Sequence, residues 1–297
     1  MMPESSEQPL IDVVIVNFNA GDALARCVQS VLSQQQKVNI VVIDNASTDR
    51  SMAGLSKSLG QVNELRLLHN DSNPGFARGV NGAVQKLSSE GRYLLILNPD
   101  CEMLPGSLAA LVGALESDPG AALAGPLVVN DAGHAMRGTL RRFPDPWRSF
   151  VTFTGLSRLG EVVPALGGVD LSAGLPDRVT EAEAVSGACM LVRKAEFVAM
   201  GGLDDEYGLH CEDLDLMFRL HQKGLYCLFV PAARVFHEQG TSSSSRPVWV
   251  HWQKHRGMQR FFTKFQAQEH GPLFRLLVVA GIWLRFALTL PLILLRR

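Results

Sequence analysis

The chain has 297 residues, 46% of them hydrophobic, enough for a large core in one or two domains. Its formal net charge of −1 gives no basis for a nucleic-acid partner. Five cysteines, at positions 27, 101, 189, 211 and 227, lack paired spacing, which argues against a disulfide framework or zinc site and fits a reducing compartment.

Residues 1–9 are polar and acidic, with no charged-then-apolar leader, and read as a disordered N-terminal segment. The first strand is the apolar run 11–16, closed by Asn17-Phe18-Asn19. Asp22 is the expected N-cap of a helix whose stripe is Ala23, Leu24, Cys27, Val28, Val31 and Leu32. A second strand, 40–43, ends in Asp44-Asn45-Ala46-Ser47-Thr48-Asp49, and a third, 65–68, ends in His69-Asn70. Ala77, Val80, Ala83, Val84 and Leu87 form the next helical stripe. The run 94–97 stops at Asn98-Pro99-Asp100, because Pro99 fixes its own φ and cannot donate to a sheet. Leu108, Leu111, Val112 and Leu115 make a third stripe. Such alternation predicts an α/β fold, a mostly parallel central sheet with flanking helices and right-handed crossovers. Polar groups then gather at the carboxyl ends of the strands, where ligands bind.

The segment 137–180 breaks this pattern. It holds Arg141, Arg142, Phe143, Pro144, Pro146 and Trp147, then Gly- and Pro-rich sequence. It is either an acceptor-facing, membrane-proximal loop or a partly disordered surface insertion. Leu214, Met217, Phe218 and His221 form a helical stripe with Glu212 and Asp213 at its start. There the macrodipole favours carboxylates by roughly 0.3–1 kcal/mol. That keeps Asp213 ionised but lowers its basicity, which burial or the adjacent Glu212 has to offset; the acids otherwise merely complement the helix end. Residues 225–230 predict a further strand ahead of His237, and the serine run 241–245 reads as a flexible flap near that histidine.

Residues 276–295 are apolar except for Arg285 and Thr289, and Arg296 and Arg297 follow. Twenty residues at about 1.5 Å each suffice to cross a bilayer core. Arg285 lies mid-segment, where a charge costs roughly 2.5–3.5 kcal/mol, and Pro291 disturbs the last turns. Upstream Lys254, His255, Arg256, Arg260, Lys264 and Arg275 suit an anionic cytoplasmic surface. An interfacial or shallowly inserted helix, peripheral on the cytoplasmic face of the inner (plasma) membrane, fits better than a clean span. A buried soluble helix is the alternative.

For the ligand, Asn98 and Asp100 suit a divalent cation shared with phosphate oxygens, or a plain β-turn. The first strand has neither the dinucleotide glycine fingerprint nor a P-loop after it. Asp44 can accept the ring N–H of a pyrimidine base, or close its own loop. Gly75 permits a tight turn, and Arg78 either pairs with a diphosphate or is solvated on a helix face.

VVIVNFNA, VVIDNASTD, NPGFARGVN and LLILNPD, in this order, resemble the nucleotide-binding half of glycosyltransferase family 2, whose members have the GT-A fold. SGACMLVR at 186–193, GGLDDEY at 201–207, EDLDL at 212–216 and His237 with Gly240 and Ser242 extend the resemblance, which covers about residues 10–265. Asn98 stands where the family's Asp-x-Asp metal motif has its first acid, a departure typical of the rhamnosyltransferase-like branch.

The resemblance implies a GT-A catalytic domain at 10–265 and a membrane-associating helix at 266–297. It implies an inverting, metal-dependent transfer of a sugar from a pyrimidine nucleotide-sugar donor, with dTDP-rhamnose as one candidate and the donor sugar left open. The acceptor would be a hydroxyl of a lipid-linked glycan in cell-surface polysaccharide synthesis. Asn17, Asn19, Asp44, Asn45, Ser47, Arg78, Asn81 and Asn98 are the expected donor-binding residues. Asp100 and His237 are the expected ligands of Mn²⁺ or Mg²⁺, and this oxygen–imidazole mixture suits Mn²⁺ somewhat better. Asp213, with Glu212 beside it, is the expected general base. Cys101 and Cys211 are read as passengers. Two other classes compete. A nucleotidyltransferase needs a basic glycine-rich loop that residues 17–21 lack, and a catalytically silent nucleotide-sugar-binding scaffold needs no Asp100 together with Asp213.

Overall fold

The computed structural model describes residues 10–87, 90–160, 162–238 and 246–295. The N-terminal segment, the serine run with Gly240 and Ser242, and Arg296 and Arg297 lie outside the described residues.

The first half is a run of strand–helix units: β1 (Ile11–Asn17), α1 (Ala23–Leu32), β2 (Val38–Asp44), α2 (Ser51–Leu59), β3 (Leu65–His69), α3 (Phe76–Val84) and β4 (Tyr93–Leu97). Its strands are parallel, in the order β3-β2-β1-β4. Side chains alternate across each strand, so the two faces need separate cover. Val13, Ile15, Leu95 and Leu97 pack with Leu24, Cys27 and Val28 of α1, while Val14, Val16, Leu94 and Ile96 pack with Ala77, Val80 and Ala83 of α3. Each helical stripe thus covers its own face of the sheet.

The second half comprises β5 (Cys101–Met103), α4 (Ser107–Ser117), β6 (Ala121–Val129), β7 (Leu140–Arg141), α5 (Pro146–Thr154), β8 (Thr180–Ala182), β9 (Ala184–Val185) and β10 (Cys189–Arg193). It continues with α6 (Lys194–Ala199), α7 (Glu212–Gln222), β11 (Tyr226–His237), α8 (Pro247–Phe265) and α9 (Pro272–Leu295). The sheet extends as β4-β10-β6-β11-β5, with β8 also on β11. Here β10 runs antiparallel to β4 and β6, and β5 antiparallel to β11. The sheet is therefore mixed, parallel across β3-β2-β1-β4.

Several local expectations are corrected. Asp22 stands at the head of α1 but caps nothing with its side chain. Strand β3 is an edge strand, only half-buried. Helix α2 buries just Ser51 and Leu55, too little apolar surface for a readable stripe. Strand β11 runs on through a bulge, so His237 is its last residue and not a loop residue beyond it. The helix α9 continues through Pro291 to Leu295, so the proline does not end it within the described residues.

The segment 137–180 is not a disordered insertion. Apart from residue 161 it is described throughout, with β7 paired to β9 and α5 capped by Asp145, whose Oδ1 accepts the Arg148 N–H at 2.7 Å. Pro146 occupies the first turn of α5, where its missing N–H costs nothing.

Candidate active site

The carboxyl ends of β1, β2, β4, β6 and β11 open into one cavity of about 1940 Å³. Pro99 ends β4, and the turn after it is closed by Cys101 N–H donating to Asn98 O at 3.2 Å. The antiparallel register of β5 on β11 then sets His237 opposite Cys101. As a result His237 Nε2 lies 3.1 Å from Asp100 Oδ1. Donor atoms of Asp100, Cys101 and His237 all fall within 4.8 Å of one another. Burial and the neighbouring Asp100 push the Cys101 thiol well up, so it stays protonated and weakly directed at Ala188 O. Asp100 and His237 are the better donor pair: one hard oxygen and one imidazole nitrogen facing an open cavity.

The donor-binding candidates divide into two groups. Asn45 and Asn98 line the cavity together with Asp100 and His237. Asn17, Asn19, Asp44 and Ser47 lie just behind it, knitted together. Asn17 Nδ2 donates to Asp44 Oδ1 at 2.7 Å and to Ser51 Oγ at 2.8 Å. Ser47 donates through Oγ to Asp44 Oδ1 at 2.6 Å and through N–H to Asp44 Oδ2 at 3.1 Å. Asn19 Oδ1 accepts the Thr48 N–H at 2.7 Å. Asp44 therefore does close its own loop, as one of its two readings expected.

Arg78 and Asn81 are drawn elsewhere. Arg78 Nε meets Asp205 at 3.1 Å on the exposed surface, outside the cavity. Asn81 Nδ2 donates to Leu203 O at 2.8 Å while its Oδ1 accepts Leu203 N–H at 2.9 Å, a clip between α3 and the 203–205 loop. The chain enters α3 through Gly75 at φ +95°, a region closed to most side chains.

Asp213 sits in the first turn of α7. Its Oδ2 accepts from Arg141 Nη2 at 2.6 Å, and Arg141 also donates to Val185 O. Both side chains of the pair are largely buried. Burial alone would raise the Asp213 pKa, but the charge and hydrogen bond of Arg141 hold it below the usual carboxylate range. Glu212 has no such partner, and its Oε2 is buried without one among the described residues. Burial and then the Asp213 charge push Glu212 up to about 8. The pair thus holds one proton at neutral pH, on Glu212, and Asp213 is ionised. His210 beside them is depressed to about 4 by burial and by Lys254, hence neutral.

The backbone enters α7 through His210 at φ +68° and Cys211 at φ +73°. Non-glycine residues in this region cost about 1–3 kcal/mol each and collect at functional sites. A Cβ on Gly187 would come within 2.5 Å of Asp213 Oδ2, so only glycine lets the β9–β10 turn approach the carboxylate. Arg141, Gly187, His210 and Lys254 were not singled out as site residues by sequence. Arg141 meets Asp213 across 72 residues, and no local pattern encodes such a contact.

The far side of the cavity is apolar, lined by Phe150, Phe153, Trp249, Phe274 and Leu277 of α5, α8 and α9. Helix α9 has no buried residue, against the buried-helix alternative, and with a mean hydropathy of 2.1 it is long and apolar enough to cross a membrane. Its polar side chains turn toward α8: Trp283 Nε1 donates to Gln259 Oε1 at 2.7 Å, Thr289 Oγ1 lies 2.9 Å from His251 Nε2, and Arg285 reaches Met258 Sδ at 3.4 Å. Leu276, Leu284, Leu288 and Leu292 are left exposed. Arg285 does not project outward with the exposed leucines: its guanidinium lies on protein, 5.4 Å over the Phe153 ring.

Comparison with known proteins agrees with this architecture. The family model of glycosyl transferase family 2 matches residues 12–167, and that of glycosyl transferase family group 2 matches 93–297. An N-acetylglucosaminyl-diphospho-decaprenol L-rhamnosyltransferase of Mycobacterium tuberculosis (strain CDC 1551 / Oshkosh) is 28% identical over 253 residues, 80% of this chain and 79% of that protein. Rhamnosyltransferase WbbL of Escherichia coli (strain K12) is 25% identical over 244 residues, 77% of this chain and 83% of the relative.

Among solved structures, GalNAc-T7 with UDP, GalNAc and Mn²⁺ superposes with a TM-score of 0.62 at 19% identity, over 87% of this chain and 48% of that one. Mannosyltransferase PcManGT from Pyrobaculum calidifontis, with GDP-Man and Mn²⁺, gives 0.59 at 16% identity, over 94% and 70%. At these identities the likeness speaks for the fold alone, and that fold is GT-A. With a family model covering more than half of its length, the chain belongs to glycosyl transferase family 2, as a rhamnosyltransferase-like member.

Proposed function

We propose that the protein transfers a sugar, with inversion, from a pyrimidine nucleoside-diphosphate sugar to a hydroxyl of a lipid-linked glycan. The rhamnosyltransferase relatives make dTDP-rhamnose the first donor to test. The observation that carries the reading is the arrangement within one cavity. The Asp100–His237 pair stands at the strand ends, the ionised Asp213 faces the same space, and an apolar wall lies beyond it.

Asp100 and His237 would hold Mn²⁺ or Mg²⁺, which when bound supplies positive charge against the leaving diphosphate. Asp213 Oδ1 takes the proton of the acceptor hydroxyl, because Oδ2 is already held by Arg141. Arg141 fixes the orientation of that carboxylate, and the protonated Glu212 keeps a second charge out of the site. Asn45 and Asn98 contact the donor directly. Asp44 Oδ2 accepts one hydrogen bond from Ser47 N–H and keeps capacity for the ring N–H of the base. Asn17, Asn19 and Ser47 act through Asp44 and its loop, and Asn81 and Arg78 through the seating of α3.

The catalytic domain is assigned to residues 10–265 and membrane association to 266–297. The exposed leucines of α9 and the basic residues of α8 support a peripheral location at the cytoplasmic face of the inner membrane.

The test is release of dTDP from dTDP-rhamnose with Mn²⁺, measured with and without a polyprenyl-diphosphate N-acetylglucosamine acceptor, with the anomeric configuration of the product determined. Acceptor-dependent release with inversion supports the reading. A catalytically silent scaffold would bind donor and release nothing.

A further inference from the structure

Beyond Asp213, away from the Asp100–His237 corner, the cavity carries positive charge without negative charge to match. Lys254 on α8 lines it and forms no hydrogen bond or ion pair among the described residues. Arg285 on α9 lines it too; among the described residues its side chain meets Met258 Sδ and the Phe153 ring, and its Nε is buried without a partner. Arg141 has the single carboxylate partner Asp213, and its Nε is likewise unpartnered among the described residues. The ionisable neighbours of Lys254 include Arg285, the Cys211 thiol, Arg137 and Arg141, three of them cations. Arg137 is already neutralised by Asp170 at 2.9 Å.

Like charges gathered along one cavity wall repel one another, and a multivalent anion between them relieves that repulsion. The wall beside them is formed by Trp249, Phe274 and Leu277, apolar residues that line the cavity and remain exposed. A cationic seat next to an exposed apolar wall matches an amphiphile with an anionic head. Free diphosphate would have no use for the wall, and a neutral lipid none for the charges.

We propose that Arg141, Lys254 and Arg285 seat the diphosphate of a polyprenyl-diphosphate acceptor, and that the apolar side of α5, α8 and α9 receives its hydrocarbon tail. The inference rests on the lipid-linked acceptor reading and assigns its head group to residues. The donor diphosphate remains at Asp100 and His237, so the two anions approach Asp213 from opposite sides. Bidentate hydrogen bonding suits both guanidinium groups to phosphate, while Lys254 contributes a point charge.

The experiment is isothermal titration of the full chain with farnesyl diphosphate in neutral detergent. EDTA is present and nucleotide-sugar absent, so neither the donor nor the Asp100–His237 site takes part. Farnesol, inorganic diphosphate and phosphatidylglycerol are titrated in parallel. Farnesyl diphosphate should bind at least ten-fold tighter than any of them. Lys254→Gln changes a side chain that bonds to no neighbour. It should weaken farnesyl diphosphate ten-fold or more, and Lys254→Arg should restore most of the affinity.

Equal affinity for farnesol, inorganic diphosphate or phosphatidylglycerol would overturn the proposal, as would a Lys254→Gln variant that binds within two-fold of wild type. If the protein still transfers sugar to the lipid acceptor in that case, only the head-group assignment is lost. Absence of transfer together with intact binding would instead strike the proposed reaction.

Discussion

Glu212 offers a test that needs no substrate. Its carboxyl is buried beside an ionised Asp213, with a pKa pushed from 4.5 to about 8. A group whose folded pKa lies above its unfolded value contributes stability that is complete below the unfolded pKa and is lost as pH rises through the folded one. The window here is about pH 4.5 to pH 8. Asp213 is shifted the other way, so its own contribution is constant above about pH 5. The depressed His210 changes with pH in wild type and variant alike and cancels in their difference.

Glu212→Gln keeps the shape and removes the proton equilibrium. Linkage in this direction makes the variant gain on wild type as pH rises from 5 to 7, by on the order of a few kcal/mol. Urea unfolding of both proteins at half-unit steps from pH 5 to pH 8 measures this. A stability difference that stays constant with pH would refute a buried, protonated Glu212, and with it the arrangement that keeps Asp213 as the single charge.

Asp100→Ala should abolish the Mn²⁺-dependent part of nucleoside diphosphate binding and cost about 1–2 kcal/mol of stability for the lost His237 contact; titration with and without Mn²⁺ reads it, and unchanged affinity would remove Asp100 from the metal site. Asp44→Ala should weaken a pyrimidine nucleotide by about 1–3 kcal/mol more than bare diphosphate, since the ring N–H loses its acceptor. Equal weakening of the two ligands would leave Asp44 as a loop residue only. Deleting residues 272–297 should move the protein from the membrane to the soluble fraction and lower transfer to a lipid acceptor far more than donor hydrolysis. An aggregated deletion inactive in both assays would mean that α9 is a structural part of the catalytic domain.

The first half was legible because its strands are apolar runs stopped by polar corners, and the 3.6-residue stripes of α1 and α3 match their buried faces, as does that of α4 beyond it. Strand direction was not legible in the second half. Cys189–Arg193 is as apolar as the parallel strands, and nothing in an apolar run records whether its neighbour runs up or down. Asp100 and a distant His237 could be singled out as candidate metal ligands, but the register of β5 on β11 that joins them could not. Arg78 was read either toward a diphosphate, which a guanidinium pairs with better than an ammonium, or as solvated on a helix face; its Nε lies 3.1 Å from Asp205, 127 residues on, a contact no local pattern records. The same blindness to distance hid Arg141, which looked like one basic residue in an unreadable segment and is the direct partner of the proposed base.

Asp213→Asn tests the central claim most directly. The amide keeps the size of the carboxylate and cannot accept the acceptor's proton. The measurement is a paired one on purified wild type and variant: donor affinity with Mn²⁺ by titration, and transfer rate to the polyprenyl-diphosphate acceptor at saturating donor. The account predicts donor affinity within a few-fold of wild type and a transfer rate lower by about 10²–10⁴-fold. Transfer within a few-fold of wild type would contradict it and take the role of base away from Asp213.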